Sequence, residues 1–213
     1  MAKSRVRNKN GGSAGEVDGR LVQGELTRNA IVKVARRLFE NDGFEATSIQ
    51  AILDASSQSR GSLYHHFKNK EALFEAVVEH AYEEFSSKTL AAALKERDPL
   101  KRMKAGCVAW LELTRNPKTH RLVHIDPPIA LGWEGWRKLD QKYFLGQLEE
   151  GVKALAVTSG IDQSLVPAIT QVLLAGLNEA ASLEATKKNS EARARVRKTI
   201  ELLLDRLFVK VVT

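Results

Sequence analysis

The chain is 213 residues long, with 33 Lys+Arg against 26 Asp+Glu, a formal net charge of +7 and 43% hydrophobic residues. Those values exclude a wholly disordered chain and leave room for a real core, while the single cysteine, Cys107, excludes a disulfide framework or a Cys-rich zinc module. No apolar run approaches the roughly 18 residues needed to cross a bilayer, and the basic N-terminus has no apolar segment behind it to make a secretory signal, so a cytoplasmic protein without membrane contact is expected.

Residues 1–24 are polar and hold five glycines, with Lys3, Arg5, Arg7 and Lys9 in the first ten and no acid among them. They read as a flexible tail, either a solvated arm or one that touches DNA phosphates. From Thr27 onward the pattern is helical, and no segment alternates as a strand does. Ile31, Val34, Ala35, Leu38 and Phe39 form one stripe, which Gly43 ends as a C-cap. Thr47 or Ser48 caps a short helix with Ile49, Ile52 and Leu53, and Ser56-Ser57-Gln58-Ser59 turns into a second short helix with Gly61, Leu63 and Tyr64. Asn69 caps a long helix whose face of Leu73, Phe74, Val77, Val78, Ala81, Tyr82 and Phe85 is wide enough to need partners on two sides.

Asp98-Pro99 starts the next helix, carrying Met103, Cys107, Trp110, Leu111 and Thr114 as far as Asn116-Pro117. A short piece over 119–125 ends at Asp126-Pro127-Pro128. The spacing then predicts a helix with Leu139, Tyr143, Phe144, Leu148, Val152 and Leu155, broken by Gly160. Two further helices occupy 163–186 and 190–211. The expectation is an all-α fold of about nine helices. Cys107, on an apolar stripe, reads as a buried inert thiol. His120 and His124 have helical ligand spacing with Asp126 nearby, yet no third ligand is evident, so no metal, cofactor or catalytic constellation is expected.

Two short helices joined by a tight turn and packed on a preceding helix make a helix-turn-helix, here over 48–67, whose second helix fits the DNA major groove. Leu63 and Phe67 would face the core, while Gln58, Ser59, Arg60, Ser62, Tyr64 and His65 supply donors and acceptors. Gly61 allows close backbone approach. Thr47 and Ser48, at a helix N-terminus, suit a phosphate, and Lys68 and Lys70 sit where they would neutralise others.

Thr27-Arg28, Ala35-x-x-Leu38-Phe39, Gly43-Phe44-x-Ala46-Thr47-Ser48-Ile49, Gly61-Ser62-Leu63-Tyr64-His65-His66-Phe67 and Lys70-Glu71-Ala72-Leu73 together resemble the TetR family of transcriptional regulators, over roughly residues 25–85. The resemblance implies that Thr47, Arg60, Ser62, Tyr64, His65 and Lys70 are the DNA-contact positions. It also implies a DNA-binding domain over 25–70 and a larger helical effector-binding and dimerisation domain over 71–213. The chain departs from the family in the turn: Ser57 stands where a left-handed glycine is usual, and Gln58 where an apolar residue is usual.

The larger domain of such a regulator holds a small-molecule cavity. The resemblance therefore implies a largely apolar effector, framed by Phe85, Thr89, Trp110, Thr114, Phe144, Leu148, Leu174 and Asn178. It implies a homodimer through Leu173, Leu177, Ala180, Ile200, Leu203, Leu204 and Leu207, and a repressor released from a palindromic double-stranded operator. Two alternatives stand beside it: a helical enzyme with convergent titratable groups near Trp133 and Trp136, and an effector-independent architectural DNA binder with a filled core. The net charge is a poor guide, because residues 25–70 carry only +2 and residues 86–213 carry +7.

Overall fold

The computed structural model describes residues 14–186 and 189–208. Among them there is no strand, and ten α-helices follow one another: α1 (Ala14–Asp42), α2 (Ile49–Ser56), α3 (Arg60–His66), α4 (Lys70–Ala93), α5 (Pro99–Thr114), α6 (Pro117–His120), α7 (Asp126–Asp140), α8 (Gly146–Ser159), α9 (Val166–Thr186) and α10 (Ser190–Phe208). π-helical turns at Arg121–Ile125 and Gln141–Leu145 join α6 to α7 and α7 to α8. No described helix is long and apolar enough to cross a membrane.

Helix starts follow side-chain capping. Ser48, Ser59, Asn69 and Asp98 each accept from the backbone N–H three residues on, at 2.8–3.1 Å, satisfying a donor that the first turn leaves without a partner. Gly43 (φ 87°) and Gly160 (φ 73°) end their helices in the left-handed region. Gly132 (φ 73°, ψ 161°) kinks α7, a break that the aromatic pattern around Trp133 conceals.

The first helix begins earlier than expected. Residues 14–24, read from their glycines as part of a tail, continue α1. Once a helix is nucleated downstream, each added residue gains a hydrogen bond, and each glycine costs only about 1 kcal/mol against that gain. The expected tail over 1–13, the stretch 209–211 and Lys187-Lys188 lie outside the described residues.

One continuous core runs from α1 to α10. At its N-terminal end Phe74 packs edge-on to Phe39 at 5.0 Å and tilted against Phe44 at 4.9 Å. Further on, Phe144 meets Tyr82 at 5.1 Å and Trp110 at 4.5 Å. Fully buried Tyr82 donates its hydroxyl to Val123 O at 2.8 Å, and Trp136 Nε1 donates to Tyr82 Oη at 3.0 Å. Helix α4 carries both aromatic groups and so belongs to both ends of the molecule. Glu184 on α9, fully buried, meets Arg197 Nε of α10 at 3.0 Å, and Arg197 also reaches Glu112 on α5 at 2.9 Å. The basic residues near the chain end are thus partly structural.

Candidate nucleic-acid interface and effector cavity

The turn between α2 and α3 adopts the left-handed conformation through Ser57, at φ 55° and ψ 26°. Among the described residues it is the only non-glycine with positive φ, a strain of roughly 1–2 kcal/mol. Leu63 and Phe67 are buried as expected and hold α3 to the core. Outward from α3 stand Ser59, Arg60, Gly61, His65 and Tyr64, the last 44% exposed, and Lys68 follows in the open. Ser62 is half-buried, its hydroxyl 3.4 Å from Gln58 Oε1. That contact draws the Gln58 side chain from the turn toward the first turn of α3, with its Nε2 uncommitted. No atom lies nearer than 4.0 Å to where a Cβ on Gly61 would sit, so the backbone is open to close approach.

Two expected phosphate ligands face inward. Thr47 is buried; its hydroxyl donates to Gly43 O at 2.7 Å and its backbone N–H to the same oxygen at 3.3 Å. Lys70 Nζ donates to Phe44 O at 3.0 Å and Thr47 O at 3.3 Å, and lies 4.2 Å from the centroid of the Phe44 ring. Both residues set the loop that presents α2; the Thr47 hydroxyl is closed to solvent, while half-buried Lys70 keeps a third ammonium proton beyond its two loop bonds. Ser48 is exposed, and its hydroxyl proton stays available while Oγ caps α2. Gln50, overlooked in the sequence, is exposed and accepts from Arg60 Nη2 at 2.9 Å, aligning that guanidinium. Its sequence signal is its place in the first turn of a capped helix.

The loop after α1 is gripped from the larger part of the chain. Phe44 N–H donates to Asp126 Oδ2 at 2.8 Å, and Arg121 Nη2 donates to Glu40 O at 3.2 Å. Asp126, expected near a histidine pair, serves this bond. The His120 and His124 rings do pack 4.8 Å apart, but no group of three or more His, Cys, Asp or Glu is placed to hold a metal among the described residues.

A cavity of about 470 Å3 opens among α4, α5, α8 and α9. Thr89, Trp110, Phe144, Leu148 and Leu174 line it as expected, joined by Met103, Cys107 and Leu177 among others. Three expected residues do not. Phe85 packs edge-on behind Trp110 at 6.1 Å, and the fully buried Thr114 hydroxyl is engaged by Trp110 O at 2.9 Å. Asn178 faces a second, smaller cavity near Trp133 and Trp136. Burial pushes the Cys107 thiol up to about 12, consistent with an inert group. The open cavity is at odds with the filled core that an architectural binder calls for.

The face expected to meet a second subunit divides. Leu177, Ala180 and Leu204 are buried in the chain's own core, because α9 and α10 are apolar on both sides and these positions face inward. Leu173 and Ile200 are half-buried, whereas Leu203 (55% exposed) and Leu207 stand free, alongside the unpredicted Val172, Leu183 and Leu202.

A capped helix-turn-helix with a polar outer face, carried on a helical body with an apolar cavity, defines a class of ligand-linked DNA-binding proteins. The model for the N-terminal domain of bacterial regulatory proteins of the TetR family matches residues 31–77, and the model for the tetracycline repressor-like C-terminal domain matches residues 100–207. The chain belongs to the TetR family. Among curated relatives it is 39% identical over 62 residues to the transcriptional regulator UidR of Escherichia coli K12, a match covering 29% of this chain and 32% of that one. It is 32% identical over 102 residues to AcrR of Shigella flexneri, 47% of each. The matched segments thus span about a third to a half of these relatives. A TetR-family regulator from Pectobacterium atrosepticum superposes with a TM-score of 0.76 at 26% identity, covering 89% of this chain and 97% of the other.

Proposed function

We propose that the chain is a cytoplasmic, homodimeric transcriptional repressor that leaves a palindromic operator when a small, largely apolar molecule enters the cavity among α4, α5, α8 and α9. The observation that carries this reading is α4. Its first residue, Lys70, holds the loop that sets α2, and Thr89, Leu90, Ala93 and Leu94 near its other end line the cavity. Lys70 and Thr89 are about 29 Å apart along one helix. A ligand that wedges α4 from α5 tilts this lever at the DNA end. Two recognition helices must match half-sites about 34 Å apart or a multiple of it, so a ligand that prefers the other spacing shifts the population off DNA. The exposed apolar positions Val172, Leu183, Leu203 and Leu207 supply the isologous face for the second subunit.

An enzymatic reading of the smaller cavity fares less well. His124 and Asp140 share it, yet Asp140 is hydrogen-bonded to Asn178 and has no bond to His124, so no nucleophile–base pair is formed there. Binding-site selection followed by gel shift tests the proposal. Arg60→Ala and Tyr64→Ala should each abolish binding to the selected palindrome with helical content unchanged. Retention of parental affinity by both variants would remove α3 as the reading helix.

A further inference from the structure

The smaller cavity is built unlike the larger one. It measures about 280 Å3, and its walls come from α7, α9 and the turn that carries His124. Leu174 is the one side chain lining both cavities. Here the walls are indole rings and polar atoms. Trp133 and Trp136 lie 4.9 Å apart edge to face, and the indole N–H of Trp136 is already engaged by Tyr82 Oη and Val123 O.

Asp140, only 5% exposed, accepts from Asn178 Nδ2 through Oδ2 at 3.1 Å. A carboxylate only accepts, so this bond fixes the amide with its oxygen turned away. Asp140 Oδ1, Asn178 Oδ1 and His124 Nε2 are buried and have no partner among the described residues. Two of these are obligate acceptors, and the third takes either role by tautomer. A molecule that binds here gains most by supplying the hydrogen bonds these atoms lack. Such a molecule is a donor.

The charge points the same way. Asp140 and Glu179 face the cavity against one guanidinium, Arg137, whose Nη2 already donates to Gln171 Oε1 at 3.2 Å. His124 adds no positive charge, since burial and the neighbouring His120 push it down to about 3. Indole faces beside a carboxylate suit a cation with an apolar body.

We propose that this second cavity is a binding site for a compact organic amine, its ammonium held by Asp140 Oδ1 and its apolar body set against Trp133 and Trp136. The site is separate from the larger apolar cavity, and amine binding does not depend on the chain's recognising an operator.

The test is titration of the full-length protein with 2-phenylethylamine and n-butylamine, using 3-phenylpropionate as the anionic counterpart, followed by calorimetry and tryptophan emission. The amines should bind and the acid should not. Asp140→Asn should weaken amine binding 10-fold or more, in keeping with about 1.5–3 kcal/mol for a hydrogen bond to a charged group. Trp133→Ala, at a position 59% exposed and so harmless to the fold, should weaken it several-fold and decides the matter if Asp140→Asn does not fold. Ala154→Trp, which sets a bulky ring at the exposed rim of the larger cavity, should leave amine affinity as it was. The proposal is overturned if neither amine binds up to about 10 mM, if the acid binds equally well, or if amine affinity survives the folded Asp140 and Trp133 variants. Loss of amine binding in Ala154→Trp alone would place the amine in the larger cavity and overturn it too.

Discussion

Replacing Asp140 with asparagine isolates one ionisation in the core. Burial pushes this carboxyl up from the ordinary 3.8 to about 6, against the opposing pull of the Asn178 hydrogen bond and the Arg137 charge. The folded chain therefore holds this proton more tightly than the unfolded one. The stabilisation is fully present below about pH 4 and is lost as pH rises through about 6; above that, the ionised group costs the fold about 3 kcal/mol. Asparagine has the same shape and does not titrate. Any pH-independent effect of the new amide cancels when the parent–variant difference at one pH is subtracted from that at another. Urea unfolding followed by circular dichroism should show the difference moving in the variant's favour by about 2–3 kcal/mol from pH 4 to pH 8, with most of the change between pH 4 and 6.5. A difference flat to within about 0.5 kcal/mol across that range, or one that moves toward the parent, would refute the buried-carboxylate account.

Ser57→Gly relieves the left-handed strain in the turn and should raise stability by about 0.5–1 kcal/mol, less than the full strain because glycine also loosens the unfolded chain; a rise of roughly 1–4 °C in Tm by calorimetry checks it. Thr47→Val removes a buried hydroxyl that bonds Gly43 O and should cost about 1 kcal/mol, with the salt dependence of DNA binding unchanged. Lys68→Ala, at an exposed position, should leave stability alone and reduce the slope of log K against log salt by about 1, read from binding isotherms at several salt concentrations. Arg197→Ala strands the fully buried Glu184 and should cost about 3 kcal/mol in urea unfolding, the low end for a broken buried pair because water reaches the guanidinium.

Local chemistry was legible where it is decided locally. Ser48, Asn69 and Asp98 cap because an oxygen three residues before a free N–H can hardly do otherwise, and Leu63 and Phe67 face inward because a two-turn helix has one apolar side. The misreadings share a cause. Thr47 looks like a phosphate ligand until the loop after α1 is fixed, and Asp126, a residue 82 positions beyond Phe44, helps to fix it. Leu177 and Leu204 cannot be told from Leu203 and Leu207 by period alone, because α9 and α10 are apolar on two sides and only the packing of α5 and α8 decides which side is inside. The glycines of residues 14–24 argued for a tail, whereas continuation of a helix already formed outweighed them.

The turn between α6 and α7 has a consequence for how short a signal's path can be. His124, on the wall of the smaller cavity, and Asp126, whose carboxylate holds Phe44 N–H, are two residues apart, about 3 Å of helix rise. Arg121, on the same turn, holds Glu40 O. The route along α4 is roughly ten times as long and crosses the whole body of the protein. Relay through the π-helical turn needs no lever: the residue on the cavity wall and the residue that holds Phe44 N–H belong to the same local piece of backbone.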